Sequence, residues 1–147
     1  MSKKLSYKGK IPIGEQERIK LATINGKTGY KITKFQVITT TPGVGSSELI
    51  AQIFKTDQTG NISTTVDFSN SNLLAMAFYQ DGTTIDQTQS ETIIFDNEKF
   101  NQDIFVNVTD AAGGTIPANY YIELETMSLN DIEATMLTLQ SIRTITS

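Results

Sequence analysis

Two alternating runs of side chains, residues 104–109 and residues 120–125, flank a linker in the second half of the chain. Their apolar faces consist of Ile104, Val106 and Val108 in the first run and Tyr120, Ile122 and Leu124 in the second. Alternation with a period of two over such a length is typical of half-buried β-strands. The linker, residues 110–118, contains two consecutive glycines and a proline, so it should turn the chain. The pattern predicts a β-hairpin with one face in a core and the other face exposed.

The composition excludes several kinds of chemistry. The 147 residues include no Cys, so neither disulfides nor thiolate metal sites can form. They also include no His, which removes the commonest general base and the commonest metal ligand. The length favours a single domain, and no apolar run approaches the roughly 20 residues of a membrane-spanning helix. We also expect no secretory signal, because the first ten residues contain lysines but no apolar segment.

Charge is distributed unevenly along the chain. Residues 1–34 hold nine basic and two acidic residues, a net charge of +7, and the remainder holds three basic and fourteen acidic residues, a net charge of −11. Two interpretations stay open: both segments are solvated faces of one domain, or the basic end meets an acidic partner. The basic residues are spread out with little aromatic interleaving, so nucleic acid is not a predicted partner.

Residues 1–14 are predicted to form an extended basic arm ahead of a β-sandwich domain at residues 15–147. Two glycines and a proline argue against a helix in this segment. An arm of this kind is usually ordered only when it lies across a neighbour. The residues that we expect to make assembly contacts are Lys3, Lys4, Leu5, Tyr7, Lys8, Lys10, Ile11 and Ile13.

Further strands are predicted between the arm and the hairpin. They span residues 17–24, 29–40, 48–56, 73–80 and 91–95. The apolar run 73–80 could also form a helix, but the β-rich setting and the Asp81-Gly82 pair after it favour a strand. The Asn25-Gly26 pair predicts a second hairpin, between the first two of these strands. In the run 29–40 the apolar parity changes, which indicates a bulge or a strand that passes between two sheets. The polar segment 57–72 is predicted to be a long loop.

The pattern changes period after Asn130. The apolar residues at helical spacing are Ile132, Met136, Leu139 and Ile142. Asn130 and Glu133 approximate a capping box, although β-branched residues favour a last strand as the alternative. With about eight strands, the chain is predicted to be mostly β, a single antiparallel β-sandwich or jelly-roll-like domain with a short C-terminal helix as the preferred ending.

No catalytic, cofactor-binding or metal site is predicted. The carboxylates that could serve a two-carboxylate hydrolase are Glu91, Asp96, Glu98, Asp103, Glu123 and Glu125. Outward carboxylates on strands are usually solvating, and Asn107, Thr109 and Tyr121 on the same face are better suited to contact a neighbour or solvent. The pair Asp81 and Asp86 could supply oxygen ligands for Ca²⁺, as could residues 96–98, but both lack the D-x-D-x-D-G pattern, which favours turns.

Three segments of the chain resemble small virion structural proteins of marine tailed bacteriophages. They are FNQDIFVNVTDAAGGTIPANYYIELE, KLSYKGKIPIGEQERIKL and NGKTGYKITKFQVIT. The likeness covers most of the chain and rests on these segments rather than on a chemical motif. It implies a non-enzymatic particle component, a capsid decoration or cement protein. No functional residues of that family are transferred with it.

The resemblance implies partners and a location as well. We expect contacts with the major capsid protein and with further copies of the chain, on the surface of the phage head, after synthesis in the cytoplasm of a bacterial host. A position in the tail or neck of the virion is one alternative. The other is a carbohydrate-binding β-sandwich module, for which the chain offers five Tyr and no Trp.

Overall fold

The protein is described by a computed structural model that covers residues 3–43, 46–81, 89–95 and 98–146, with side chains described up to residue 140. The elements are β1 (Lys3–Ile11), β2 (Gln16–Ile19), β3 (Thr28–Thr39), β4 (Ser47–Phe54), β5 (Leu73–Asp81), β6 (Gln89–Ile94), β7 (Ile104–Asp110), β8 (Ala118–Ser128) and α1 (Asp131–Thr146).

The strands form two antiparallel sheets that pack face to face. One sheet has the order β1-β8-β3 and the other the order β2-β7-β4-β5-β6. The inward positions of both sheets supply one hydrophobic core, in which Phe35, Leu49, Ile53, Val106 and Ile122 are almost completely buried. The predicted antiparallel β-sandwich is therefore confirmed.

The strands of the predicted hairpin exist, but they do not pair with each other. β7 pairs with β2 and β4 in the five-stranded sheet, whereas β8 pairs with β1 and β3 in the other sheet. The predicted inward faces of both strands are buried. The hairpin prediction is wrong because alternation reports which face a strand buries and carries no information about its neighbour. The linker between them crosses from one sheet to the other.

The second predicted hairpin is wrong for the same reason. β2 belongs to the five-stranded sheet and β3 to the three-stranded sheet, although Asn25-Gly26 lies in a turn between them. Gly26 has φ 67° and its N–H donates a hydrogen bond to the Thr23 carbonyl. A tight turn reverses the chain locally, but the residues on either side still determine which sheet each strand joins.

The predicted irregularity in β3 is confirmed as a bulge. Ile32 pairs with Leu124 and Lys34 with Glu123, so Thr33 is an extra residue on β3. The bulge shifts the alternation by one position, which keeps the apolar side chains before and after it in the same core.

The C-terminal helix and its cap are also confirmed. The Glu133 N–H donates to Asn130 Oδ1 at 2.8 Å, and the Asn130 N–H donates to Glu133 Oε1 at 3.4 Å. Asn101 Nδ2 ties the helix to the body by donating to the Ala134 carbonyl at 3.2 Å and to Thr138 Oγ1 at 2.9 Å. No helix in the described part of the chain is long and apolar enough to cross a membrane.

The segment predicted to be an arm lies across its own domain. Lys3–Ile11 forms β1, which pairs with β8 over nine residues and is the outermost strand of its sheet. Gly9 lies opposite Tyr120, and a Cβ at Gly9 would be 2.9 Å from the Tyr120 ring. The glycine therefore lets the edge strand approach a buried aromatic side chain.

We expect Gly9→Ala to lower the free energy of unfolding by about 1–3 kcal/mol, because the added methyl group collides with the Tyr120 ring. Urea unfolding of the variant and the wild type measures the difference. Ser6→Ala, on the exposed face of the same strand, is the matched control and should change stability by less than about 0.5 kcal/mol. Equal stability of the two variants would contradict this contact.

Candidate functional site

The outer face of the three-stranded sheet is basic and is built from three parallel rows of side chains. By strand alternation, Lys4, Lys8, Lys10, Lys31 and Lys34 project from it on the two edge strands, around Tyr121, Glu123 and Glu125 on the central strand β8. We call these eight residues the basic face. Its five lysines and two glutamates give it a net charge of +3.

Pairing across the sheet places each glutamate between residues of the edge strands. Glu125 lies between Lys4 and Lys31, and Glu123 pairs with Lys34 on one side. The ion pair between Lys34 Nζ and Glu123 Oε2 is long, at 4.0 Å, and exposed pairs of this kind contribute only about 0–1 kcal/mol to stability. The lysine charges are therefore largely available to a partner.

Tyr121 adds an aromatic surface to the basic face. Its ring is half-buried, and Lys34 Nζ lies 5.9 Å from the ring centroid. A tyrosine that is flanked by cations can provide apolar contact area and a hydrogen bond at the centre of an interface. Tyr120, its neighbour in sequence, is buried beneath the sheet, where desolvation and a hydrogen bond to Glu17 raise its pKa.

The predicted assembly residues divide between the surface and the core. Their exposed members are Lys3, Lys4, Lys8 and Lys10. Leu5, Tyr7 and Ile13 pack against the core and Ile11 is part of it, with 2% of its surface exposed. The apolar members are used to hold β1 on its own domain, so the lysines remain as the accessible part of the segment.

β1 is also an open edge, because β8 is its only strand neighbour among the described residues. Half of the backbone N–H and C=O groups of an edge strand point away from the sheet and can pair with another chain. Lysines on edge strands disfavour pairing with a like-charged copy. The edge and the adjacent basic face therefore favour a partner with acidic groups.

The carboxylates considered for hydrolysis do not converge in the described part of the chain. Glu98 forms an ion pair with Lys55 at 3.0 Å, and Glu91 lies exposed on the edge strand β6. Glu123 and Glu125 lie on the basic face, and Asp96 lies outside the described residues. No group of three or more Asp or Glu side chains suited to a metal ion is found among the residues described.

Asp103 has a structural role. Its Oδ1 accepts hydrogen bonds from the backbone N–H groups of Leu21 and Ala22 at 2.8 and 2.9 Å, and its Oδ2 lies 2.6 Å from Arg18. Burial raises the pKa of Asp103, but the two backbone hydrogen bonds and the Arg18 guanidinium outweigh burial and lower it overall. The carboxylate thus fixes the chain where it leaves β2.

A polar groove on the opposite side of the molecule was not predicted from the sequence. The loop between β4 and β5 folds over the outer face of the five-stranded sheet and encloses a groove of about 750 Å³. Its walls carry Gln58, Asn61, Asn70 and Asn72, and the ring of Phe105 lies beside them. The sequence predicts a long loop at residues 57–72, but it contains no signal for the face against which the loop folds.

Two residues of β7 that were predicted to contact a neighbour or solvent are not exposed. Asn107 and Thr109 were expected to be outward and exposed, yet both are buried. Thr109 Oγ1 donates to the Ser63 carbonyl of the loop at 3.5 Å, and Gln52 Nε2 donates to the Thr65 carbonyl at 3.2 Å. The two sheets therefore differ on their outer sides: the five-stranded sheet is partly covered, and the basic face is left uncovered by the part of the chain that the structure describes.

A scan of the chain against protein-family models and a search of curated proteins each found no match.

We expect Asp103→Asn to lower the free energy of unfolding at pH 7 by about 1–2 kcal/mol, because two backbone N–H groups and Arg18 lose a charged acceptor. The pKa of Asp103 is lower in the folded protein than its ordinary 3.8. Its contribution is therefore fully present above the unfolded-state pKa and is lost as the pH falls through the lower folded-state pKa.

The measurement is urea unfolding of both proteins at pH 7 and at pH values below about 4, where the difference should shrink. Glu91→Gln, at an exposed carboxylate on β6, is the control and should leave stability unchanged within about 0.5 kcal/mol. A difference that stays constant down to the lowest pH would contradict the assignment of this role to the Asp103 carboxylate.

Proposed function

We propose that the protein is a non-enzymatic structural component of a tailed-phage virion, a decoration or cement protein that binds the head surface through its basic face. The observation that carries the proposal is the set of five lysines on an uncovered sheet face beside an open strand edge. The resemblance of most of the chain to small virion proteins of marine phages supports the same function.

Electrostatic attraction accounts for how such a protein would bind. Residues 1–34, which supply all five lysines of the basic face, carry a net charge of +7, and the rest of the chain carries −11. A partner lattice with acidic groups would therefore orient the incoming protein with the three-stranded sheet toward the capsid and the acidic regions outward. Repetition of one weak contact over many capsid sites makes the layer collectively stable, particularly when neighbouring copies also touch.

The partners in this proposal are the major capsid protein and further copies of the chain, on the virion head. No small molecule, cofactor, nucleic acid or membrane is needed. A tail or neck position uses the same surface, and copy number separates the two positions. A head decoration protein is present in hundreds of copies, whereas a tail or neck ring holds about a dozen or fewer, as symmetric assembly requires. Quantitative gel analysis of intact particles measures this number.

We expect the double variant Lys4→Glu/Lys8→Glu to bind capsids that lack the protein at least tenfold more weakly than the wild type at low salt. Each reversal replaces an attraction by a repulsion at the same surface, and the defect should diminish as salt screens both. Co-sedimentation with purified capsids over a salt series measures the affinity. Lys20→Glu/Lys99→Glu, at exposed lysines outside the basic face, is the control with the same change in net charge.

Two results would contradict decoration of the head. The first is that the purified wild-type protein does not bind capsids lacking it, and that its loss leaves particle stability unchanged. The second is equal binding by the two charge-reversal variants, which would place the contact away from the basic face.

A carbohydrate-binding module is the second candidate, and the polar groove is the observation that favours it. Amide side chains such as Asn61 and Asn70 can bond sugar hydroxyls, and the Phe105 ring offers a stacking surface, although Arg18 already lies 5.8 Å from its centroid. Among the described residues, Asn72 Oδ1 is buried there without a hydrogen-bond partner.

We expect a saccharide-binding protein of this design to give hits on a glycan array that Phe105→Ala removes. Phe68→Ala, at an exposed aromatic residue on the same loop that does not line the groove, should keep them. An array without hits for the wild type would eliminate this candidate and would leave virion assembly as the function.

A further inference from the structure

Three oxygen atoms that lack hydrogen-bond partners are buried at one end of the sandwich. They are Ser47 Oγ, Asp81 Oδ1 and Asp110 Oδ2, and no partner for any of them is found in the described part of the chain. The exposed fractions of these residues are 1%, 4% and 8%. Buried polar atoms are nearly always satisfied in native proteins, by protein groups, water or ions. Two further buried oxygens without partners among the described residues, Asn72 Oδ1 and Asn107 Oδ1, lie elsewhere, with Asn107 on the other face of β7, so the three at this end can share one ligand.

Strand register places the three residues near one another. Ser47 opens β4 and pairs directly with Asp81 at the end of β5, while Asp110 at the end of β7 pairs with Leu49 on the other side of β4. All three share the parity of buried core residues on their strands, so they project between the two sheets. One carboxylate therefore lies beside Ser47, and the other lies across β4 from it, two positions further along that strand.

The second oxygen of each carboxylate is already engaged. Asp81 Oδ2 accepts hydrogen bonds from the Gly43 N–H at 2.9 Å and the Tyr79 hydroxyl at 2.6 Å. Asp110 Oδ1 accepts from the backbone N–H groups of Glu48 at 3.2 Å and Ala112 at 2.9 Å. These bonds fix the orientation of both side chains and leave one oxygen of each free for another ligand.

Gly114 adds space and a further oxygen. A Cβ at Gly114 would lie 2.5 Å from Asp110 Oδ2 and 3.7 Å from the Ser46 carbonyl oxygen. Any side chain at residue 114 would therefore press on the free carboxylate oxygen. The backbone oxygen and the carboxylate oxygen both border the space that the glycine leaves open.

We propose that Asp81, Asp110 and Ser47 form a site for a divalent cation of the Ca²⁺ class at this end of the sandwich. The donor set consists of oxygen atoms alone, which is what hard cations select, and irregular sets that mix carboxylate, hydroxyl and carbonyl oxygens suit Ca²⁺ better than Mg²⁺. The two carboxylate charges balance one divalent ion, which removes the cost of two uncompensated buried charges. From the sequence, Asp81 and Asp86 were possible Ca²⁺ ligands in a segment that was predicted to be a turn; Asp86 lies outside the described residues, and the fold places Asp110 one strand beyond Ser47.

The ion would join segments that are distant in sequence. Asp81 already holds the turn at Gly43, and Asp110 holds the start of β4 and the linker after β7. A cation shared by the two carboxylates would tie the crossing linker to the turn that follows β3. Removal of the ion should therefore loosen this end of the sandwich and leave the basic face, on the outer side of the other sheet, in place.

The test uses the full chain, stripped with a chelator and then dialysed against Ca²⁺. We expect about one Ca²⁺ ion per chain by elemental analysis, and a Tm that is higher by about 5 °C or more in saturating Ca²⁺ than in chelator. Bound Tb³⁺ should also luminesce on excitation of tyrosine, because Tyr79 is hydrogen-bonded to the ligand Asp81. These measurements on the wild type do not depend on any variant folding.

Asp81→Asn and Asp110→Asn should each reduce the Ca²⁺ affinity at least tenfold and abolish most of the Tm shift. Asp67→Asn is the matched control, because that exposed carboxylate bonds only within its own turn, to Ser69. A wild type without bound ion and with the same Tm in Ca²⁺ and chelator would overturn the proposal. So would binding that Asp67→Asn weakens as much as Asp81→Asn, or binding that neither site variant changes.

Discussion

The packing of two inward faces against each other is the interaction on which the rest of the molecule depends. The longer strands place mostly apolar side chains inward at every second position, and the bulge at Thr33 keeps the apolar residues of β3 on both sides of it in this core. Apolar area removed from water contributes about 25 cal/mol per Å², so this layer supplies most of the stabilisation. Because the core is one layer thick, every strand has a second face that must be exposed or covered by something else.

The outer faces of the two sheets differ in how far they are covered, and this difference underlies the functional proposals. The five-stranded sheet is partly covered by the loop between β4 and β5, which satisfies outward polar residues such as Gln52 and Thr109. The three-stranded sheet keeps a bare face on which lysines surround two glutamates. A sheet face with charged side chains on all three strands suits recognition of a repeated surface, whereas a loop-walled groove suits a small ligand.

The proposed cation site and the basic face act on different properties of the same protein. The site lies between the sheets, where Asp81 and Asp110 project from strands of the five-stranded sheet. The basic face lies on the outer side of the other sheet. A decoration protein of the proposed kind would have to survive outside a cell without disulfides, since the chain has no Cys. An ion that ties the linker and a turn together would serve this need, because it stabilises the folded state in proportion to its binding.

Local patterns in the sequence were sufficient to predict most of the strands, their buried faces, the bulge in β3 and the capped C-terminal helix, but the segment that forms β1 was predicted to be an arm. These features depend on residues a few positions apart, such as Asn130 and Glu133, whose reciprocal bonds form within one helical turn. The lysines of the segment 1–14 were likewise visible as a basic cluster. Composition alone also excluded chemistry that requires His or Cys.

Strand partners and covered faces could not be predicted in this way. β7 and β8 alternate perfectly and are joined by a turning linker, yet they lie in different sheets, because a strand's alternation is satisfied equally by a neighbour in either sheet. The contact of Thr109 with Ser63 depends on a loop from elsewhere in the chain, and the placement of Asp81 and Asp110 on opposite sides of β4 depends on β4 lying between their strands. Side-chain periodicity is a local property of the backbone, whereas proximity between distant residues arises only when the two sheets close over one core.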